Sequence, residues 1–375
     1  MNKKELSEIK RRLRPDKTNI SHIYGCYVNS KKEIISKFDE SLAVLPQEEQ
    51  EKYVTLLKKT LSGALGRNLT DLTFSTRQVA EGDEHKLLAA MRKAELKDDV
   101  LLDEFYHAVV SSTDMDDSNY VILLAFDAYD VPQFNKNGDR EEDTSEVFRY
   151  ILCSVCPVKT GKPVLSWSGE ESRFHNLSLS QVVGSPEMGF MFPAFDDRCA
   201  NIYSALFYSR NLKVSHEDFI DAVFKTEAPL SPVQQKEAFS SVLAAALGKD
   251  CSFELVRSVH ECLREKIEAH KESKDPETLE ISQEEAEEIL ENSGMDGEKR
   301  EAFLSSCTET FGKNAALTPG NLIDSNRFVI ETEKVKINVS PEYSAFIRTE
   351  EIDGRKYILI PAEAGVEVNG ISVTV

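Results

Sequence analysis

Asn119-Tyr-Val-Ile-Leu-Leu-Ala-Phe-Asp-Ala-Tyr-Asp-Val131 is the stretch on which the fold turns. It is rich in β-forming residues, and from Val121 to Phe126 it is apolar at every position. A run of that length, apolar on both faces, reads as a strand in the middle of a sheet covered on both sides. Phe148-Arg-Tyr-Ile-Leu152, inside a second β-rich run over 147–157, supplies a partner, and Pro163 to Trp167 reads as a further strand after the turn Lys159-Thr-Gly-Lys162. The polar segment 133–146 between the first two runs, with Asn137-Gly138 in it, is predicted to be a loop of roughly a dozen residues, long enough to be an excursion.

Upstream, Leu6, Ile9 and Leu13 form one narrow apolar stripe on a basic helix over 2–14, which Pro15 stops. Ile20 to Val28 and Glu33 to Lys37 make a hairpin about Asn29–Lys32. A helix follows Pro46, with Glu48, Glu49 and Glu51 at its positive end, Lys58 and Lys59 near the other, and Val54, Leu57 and Leu61 as its buried stripe. Leu69 to Ser75 reads as a strand, and 83–110 as two amphipathic helices broken near Lys97-Asp98.

Downstream, 215–312 is mainly helical. The segment 268–301 holds thirteen acids against four bases and opens a helix with the capping box Ser282-Gln-Glu-Glu285. The last fifty residues change to period two, and Asp353-Gly354 and Asn369-Gly370 mark tight hairpin turns. The expected fold is therefore α+β: an N-terminal mixed α/β-sheet domain, a helical middle and a C-terminal β-rich unit. The expected divisions are a basic arm at 1–18, an α+β domain at 19–213, a helical segment at 214–275, and an acidic helical unit with β-hairpins at 276–375.

Charge is unevenly spread. The first 37 positions hold ten basic and four acidic residues, about +6, so the rest carries about −26 to give the net −20. No run approaches the ~18 apolar residues that span a bilayer, and the first residues lack the apolar centre of a signal peptide. Seven scattered cysteines fit reduced thiols rather than a disulfide framework, which points to the cytoplasm.

Few motifs carry chemistry. Cys153-Ser-Val-Cys156 has no second pair to complete a zinc site, and in a strand its two thiols face opposite ways. His260-Glu-Cys-Leu-Arg264 lacks the second histidine of a zinc-protease helix. Asn135-Lys-Asn-Gly-Asp139 is out of register with a calcium loop and reads as a solvated turn. No phosphate-binding or dinucleotide glycine motif occurs, so no metal or cofactor is expected. One turn stands out: Asp196, Asp197 and Arg198 follow the aromatic run Gly189-Phe-Met-Phe-Pro-Ala-Phe195. The two carboxylates and the arginine either bind a cation or polarise a substrate, as in a metal-dependent hydrolase, or Asp196 caps a helix that buries Ile202, Tyr203, Leu206 and Phe207. The cap explains every residue type without a ligand.

The basic arm offers Lys10, Arg11, Arg12 and Arg14, with Lys17, Lys3 and Lys4 beside them, to the phosphates of a nucleic acid. Tyr24 and Tyr27 in the adjoining hairpin are placed to stack on bases or simply to pack. The same amphipathic helix suits an acidic protein surface, including that of a second copy.

Ile9-Lys-Arg-Arg-Leu-Arg-Pro15 with Asn19-Ile20 and Gly25-Cys-Tyr-Val28, Phe192-Pro-Ala-Phe-Asp-Asp-Arg198 and Val339-Ser-Pro-Glu342 resemble, over almost the whole chain, an uncharacterised domain-of-unknown-function family of anaerobic Gram-positive bacteria. That resemblance implies no activity. The order of elements is also similar to the bacterial nucleoid-associated protein family: an aromatic strand leads through an arginine-containing turn into a helix, here 197–210, then come a helical middle, an acidic helical unit at 280–293 and a β segment at 327–375. This layout implies a cytoplasmic, DNA-associated, non-enzymatic protein and assigns no base-contacting residue. The functional expectations are thus nucleic-acid association through the basic arm, or a protein-interaction and scaffold role, with the hydrolase reading of Asp196, Asp197 and Arg198 behind both.

Overall fold

The computed structural model describes the chain except residues 135–139, 162–163, 178–180, 313–314, 364 and 375. The fold is α+β, with an N-terminal sheet, helices in the middle and strands at the C-terminus. Two compact units divide it: Met1–Ser231 with Pro276–Thr278, and Pro232–Asp275 with Leu279–Val375.

The first unit is built on one antiparallel sheet. Its strands are β1 (His22–Val28), β2 (Ile34–Ser41), β3 (Leu69–Thr73), β4 (Asn119–Phe134), β5 (Arg140–Thr160), β8 (Gln181–Val183), β9 (Met188–Phe192) and β12 (Ser204–Ser209). They lie in the order β2-β1-β4-β5-β9-β12-β3, and β8 pairs with β5 off this path. Two outlying hairpins complete the strands of this unit: β6 (Val164–Ser168) with β7 (Arg173–Leu177), and β10 (Ala194–Asp196) with β11 (Cys199–Asn201).

The register explains why β4 is apolar at every position from Val121 to Phe126. Tyr24, Leu124, Cys153, Phe190 and Phe207 stand side by side across five strands, and all five are buried in one core. The next row, Ala125, Leu152, Met191 and Leu206, is buried in a second core on the opposite face. Helices α4 (Asp83–Lys93), α5 (Asp99–Ser112) and α6 (Glu217–Phe224) cover the first face through Met91, Phe105, Val109 and Phe224. Helices α1 (Lys3–Arg12) and α2 (Gln47–Lys59) cover the second through Leu6, Ile9, Val54 and Leu57. A central strand between two helical layers needs apolar side chains at every position, whereas a one-sided sheet needs them only at alternate ones. Cys153 and Cys156 accordingly enter opposite cores.

Two local expectations change. The segment 133–146 is mostly strand: β4 runs on to Phe134 and β5 starts at Arg140. Long paired strands extend the hairpin, and the calcium-like stretch Asn135–Asp139 lies outside the described residues. The helix expected over 197–210 does not form. Asp197 and Arg198 instead make the two-residue turn of the β10–β11 hairpin, and Ser204–Ser209 is β12, bonded on one edge to β9 and on the other to β3. A short helix, α3 (Thr76–Glu81), joins β3 to α4 and carries its own capping box at Ser75.

In the second unit α7 (Pro232–Leu247), α8 (Phe253–Ser273), α9 (Gln283–Asn292) and α10 (Gly297–Phe311) share a core of Phe239, Leu263, Ile289 and Phe303. The capping box at Ser282 is present. Three hairpins follow: β13 (Phe328–Glu331) with β14 (Lys336–Val339), β15 (Arg348–Ile352) with β16 (Arg355–Leu359), and β17 (Val366–Val368) with β18 (Ile371–Val373). The turns between the last two pairs are Asp353-Gly354 and Asn369-Gly370, with φ of 50° and 73°, and of 53° and 79°. These are the left-handed values that a two-residue hairpin demands.

Candidate functional site

Helix α1 is fastened to the sheet by charge as well as by its apolar stripe. Its start is a full capping box, in which Asn2 accepts from Lys4 and Glu5 and the Glu5 carboxylate accepts from the Asn2 N–H. Glu5 and Glu8 then point inward, although the helix as a whole is basic. The Arg198 N–H donates to Glu5 Oε1 at 3.1 Å, its Nη1 to Glu8 Oε2 at 2.7 Å, and its Nη2 to the Pro132 carbonyl at 2.8 Å. Tyr129 donates its hydroxyl to the same Glu8 at 2.5 Å.

At the other end of α1, the guanidinium of Arg12 lies 4.2 Å over the Tyr129 ring and 3.8 Å from Asp127 Oδ1. That is an ion contact over a cation–π platform, outside hydrogen-bond range. Asp127 is buried, and its carboxylate accepts from Tyr150 Oη at 2.8 Å, Thr18 Oγ1 at 3.2 Å and the Asn19 N–H at 3.0 Å. Burial pushes the Asp127 carboxyl upward, and Tyr150, Arg12, Asn19 and Thr18 oppose that rise.

The residues singled out from the sequence therefore divide. Arg12 is internal. Arg14 is exposed and pairs with Asp16 at 3.3 Å. Arg11 and Lys17 are exposed and Lys10 is half-buried, and none of these three makes an ion pair with a described residue. Asp196 receives the Met1 amine at 3.3 Å and the Asn201 amide at 3.1 Å. Asp197 and Arg198 occupy the turn with φ of 48° and 59°. The three residues of the turn are thus brought together with α1, as its mooring rather than as a helix cap. Tyr24 packs in the first core, and Tyr27 accepts from Asn119 at 2.8 Å and donates to Gln181.

His216, Cys153 and Cys156 are held unreactive by their surroundings. His216 sits next to Ser209, but the Ser209 hydroxyl donates to the Asn211 carbonyl at 3.0 Å and so accepts from His216 Nε2 at 3.1 Å. That direction is the reverse of a base activating a nucleophile. Burial pulls the His216 imidazole down to about 4. Burial likewise raises Cys153 well above its ordinary value and Cys156 to about 12, so both thiols stay protonated. No group of three or more His, Cys, Asp or Glu among the described residues is arranged to hold a metal ion.

The feature that residue-type reasoning passed over is the hairpin β6–β7. Among the described residues its strands pair only with each other. Trp167, the single tryptophan of the chain, stands directly opposite Phe174, with ring centroids 5.2 Å apart in an edge-to-face contact. Leu165, two positions before Trp167, shares its face. The three side chains are 75%, 56% and 66% exposed for Leu165, Trp167 and Phe174 respectively. Between α2 and β8, the next strand in the chain after the finger, runs a groove of about 800 Å³, whose apolar lining includes Tyr53, Leu56, Val182 and Val183. The available signal was Leu165-Ser-Trp-Ser168, an alternating strand whose apolar face had no assigned partner.

A model of a family described only as a domain of unknown function, DUF4317, matches residues 1–371. The chain belongs to that family. No curated protein matches the chain. The layout resemblance to nucleoid-associated proteins is not supported, and its central element, a helix over 197–210, is a hairpin and a strand. No helix among the described residues is long and apolar enough to cross a membrane.

Proposed function

We propose that this chain is a protein-interaction protein that recognises its partner through the β6–β7 finger and the neighbouring α2–β8 groove. One observation carries the reading: Leu165, Trp167 and Phe174 form one largely exposed apolar face that belongs to neither core of their unit among the described residues. An isolated two-stranded hairpin is marginally stable in water, and an exposed Trp–Phe–Leu face has no reason to persist without something to cover it. Aromatic anchors of this kind concentrate binding energy at interfaces. The apolar stripe of α1 is occupied by the sheet, so the finger is the better-equipped recognition surface.

The test places a photo-crosslinking amino acid at position 167 of the full chain in its native host, with Glu81 on α3 as an exposed control site. A discrete product specific to position 167 is expected. Its absence in folded protein would refute the reading.

A second reading, nucleic-acid association, keeps one supporting observation: Lys10, Arg11 and Lys17 are not neutralised by carboxylates among the described residues. It predicts binding that weakens steeply with salt. Fluorescence anisotropy of a labelled duplex at low and moderate salt, with the Lys10→Glu/Arg11→Glu/Lys17→Glu variant alongside, decides it; equal binding by the variant would remove these residues as the contact.

A further inference from the structure

We infer that the partner is a second copy of this chain, with the β6–β7 finger of each copy lying in the α2–β8 groove of the other. This deepens the reading above and rests on the finger being a recognition element. A reciprocal exchange of this kind is isologous, and its two contacts close on each other under a two-fold axis.

Four properties of the finger match the groove. The first is length. Five-residue strands extend about 17 Å, and the thirteen residues of α2 extend about 20 Å. The second is chemistry: the apolar face of the finger meets Tyr53, Leu56 and Val182 along the groove.

The third is the order of charge. The finger is net acidic at its tip, where Glu170 sits beside the Glu171–Arg173 pair. The groove follows α2 and is acidic where the helix begins, at Glu48, Glu49 and Glu51, with Lys52 beside them and Lys59 at the far end. Laid with its tip toward Lys59, the finger brings unlike charges together. Laid the other way, it brings its acids against Glu48 and Glu49. The finger therefore has one favoured direction in the groove.

The fourth is area. Leu165, Trp167 and Phe174 leave about 400 Å² of apolar surface on one finger. Burying two fingers and two groove walls removes on the order of 1,600 Å² from water, the size of a standard specific interface. One finger docked one-sidedly on an unrelated surface would bury only about half of that.

The experiment uses the full chain and multi-angle light scattering across a concentration series. The unmodified chain is expected to approach twice the monomer mass. Trp167→Ser/Phe174→Ser, which removes the finger's anchors, and Lys52→Glu/Val182→Glu, which alters exposed groove positions, are each expected to weaken dimerisation at least tenfold with unchanged circular dichroism. Mixing these two variants is expected to restore a dimer, because the mixed pair keeps one intact finger and one intact groove.

Trp167 supplies a check without substitution. On dilution its emission should shift to the red and its quenching by acrylamide should rise as the dimer separates. A chain that stays monomeric while position 167 crosslinks to a protein of different mass overturns the inference and leaves the recognition reading standing. No crosslink at all removes both. A dimer indifferent to the groove variant, or variants that fail to complement each other when mixed, also overturns it.

Discussion

Replacing Arg198 with glycine separates the two roles a residue in that turn can have. Asp197 and Arg198 both sit at positive φ, 48° and 59°, and a two-residue hairpin turn of this kind prefers glycine at its second position. For a residue with a Cβ the left-handed region costs about 1 kcal/mol, so on backbone grounds alone Arg198→Gly stabilises. The side chain argues the other way. It makes a 2.7 Å ion pair with Glu8 and a 2.8 Å bond to the Pro132 carbonyl, with Arg198 41% and Glu8 22% exposed.

Bonds to charged groups contribute about 1.5–3 kcal/mol when shielded, and partial exposure brings these two nearer to 1–1.5 kcal/mol each. The loss outweighs the relief, and a net destabilisation of about 1–2 kcal/mol follows. Urea unfolding followed by circular dichroism reads this as a lower midpoint with an unchanged slope. Arg198→Asn, which also suits the left-handed region, should lose a similar amount. In a double-mutant cycle with Glu8→Gln, the coupling should be about 1 kcal/mol. A glycine variant as stable as the parent, or more stable, would show that the arginine is a turn residue only and that α1 is held by its apolar stripe.

Other expectations concern the core and the buried titrating groups. A Cβ at Gly189 would lie 2.2 Å from the Cys153 carbonyl and 2.7 Å from Thr60 Cγ2, whereas the atoms nearest one at Gly25 are the far atoms of the Phe38 ring, from 1.9 Å. Gly189→Ala should therefore cost more stability than Gly25→Ala, because a ring can swing aside and a paired backbone cannot; thermal melting of the two variants ranks them. With alkylating reagent at neutral pH, exposed Cys199 and Cys251 should be labelled quickly, and buried Cys153 and Cys156 only after denaturant is added, as peptide mapping would report. His216 is held at about 4, below its ordinary 6.5, so the folded state binds fewer protons than the unfolded chain between those values. Its contribution is complete above pH 6.5 and is lost as pH falls toward 4. Across that window the parent should lose up to about 3 kcal/mol more than His216→Asn, a variant that keeps the left-handed backbone but does not titrate; parallel pH slopes for the two proteins would contradict this.

Local signals recovered the elements they govern. The capping box at Ser282, the glycine-bearing turns at Asp353-Gly354 and Asn369-Gly370, and the helix break at Lys97-Asp98 depend on a few neighbouring residues, and they appear where the sequence places them. Segment 197–210 shows where such signals are degenerate. Aspartate before an apolar run suits a helix cap and a hairpin turn equally, and Ala205-Leu-Phe-Tyr208 suits a buried helix turn and a strand covered on both faces. Arginine at positive φ conceals a turn that glycine announces. The inward acids Glu5 and Glu8 were likewise hidden among the cations around them.

What the sequence determines by itself is a doubly covered central strand, because no polar residue interrupts Val121 to Phe126 and only two helical layers can accept such a run. Tertiary structure alone decides that Ser204–Ser209 is a strand, since its backbone is satisfied by β9 and β3, which lie respectively twelve or more and over a hundred residues upstream. It also decides which cations of α1 face inward and that Trp167 faces outward. Helix caps and turns are short-range matters of a few bonds; pairing and burial depend on which distant segment arrives, and no local pattern encodes that arrival.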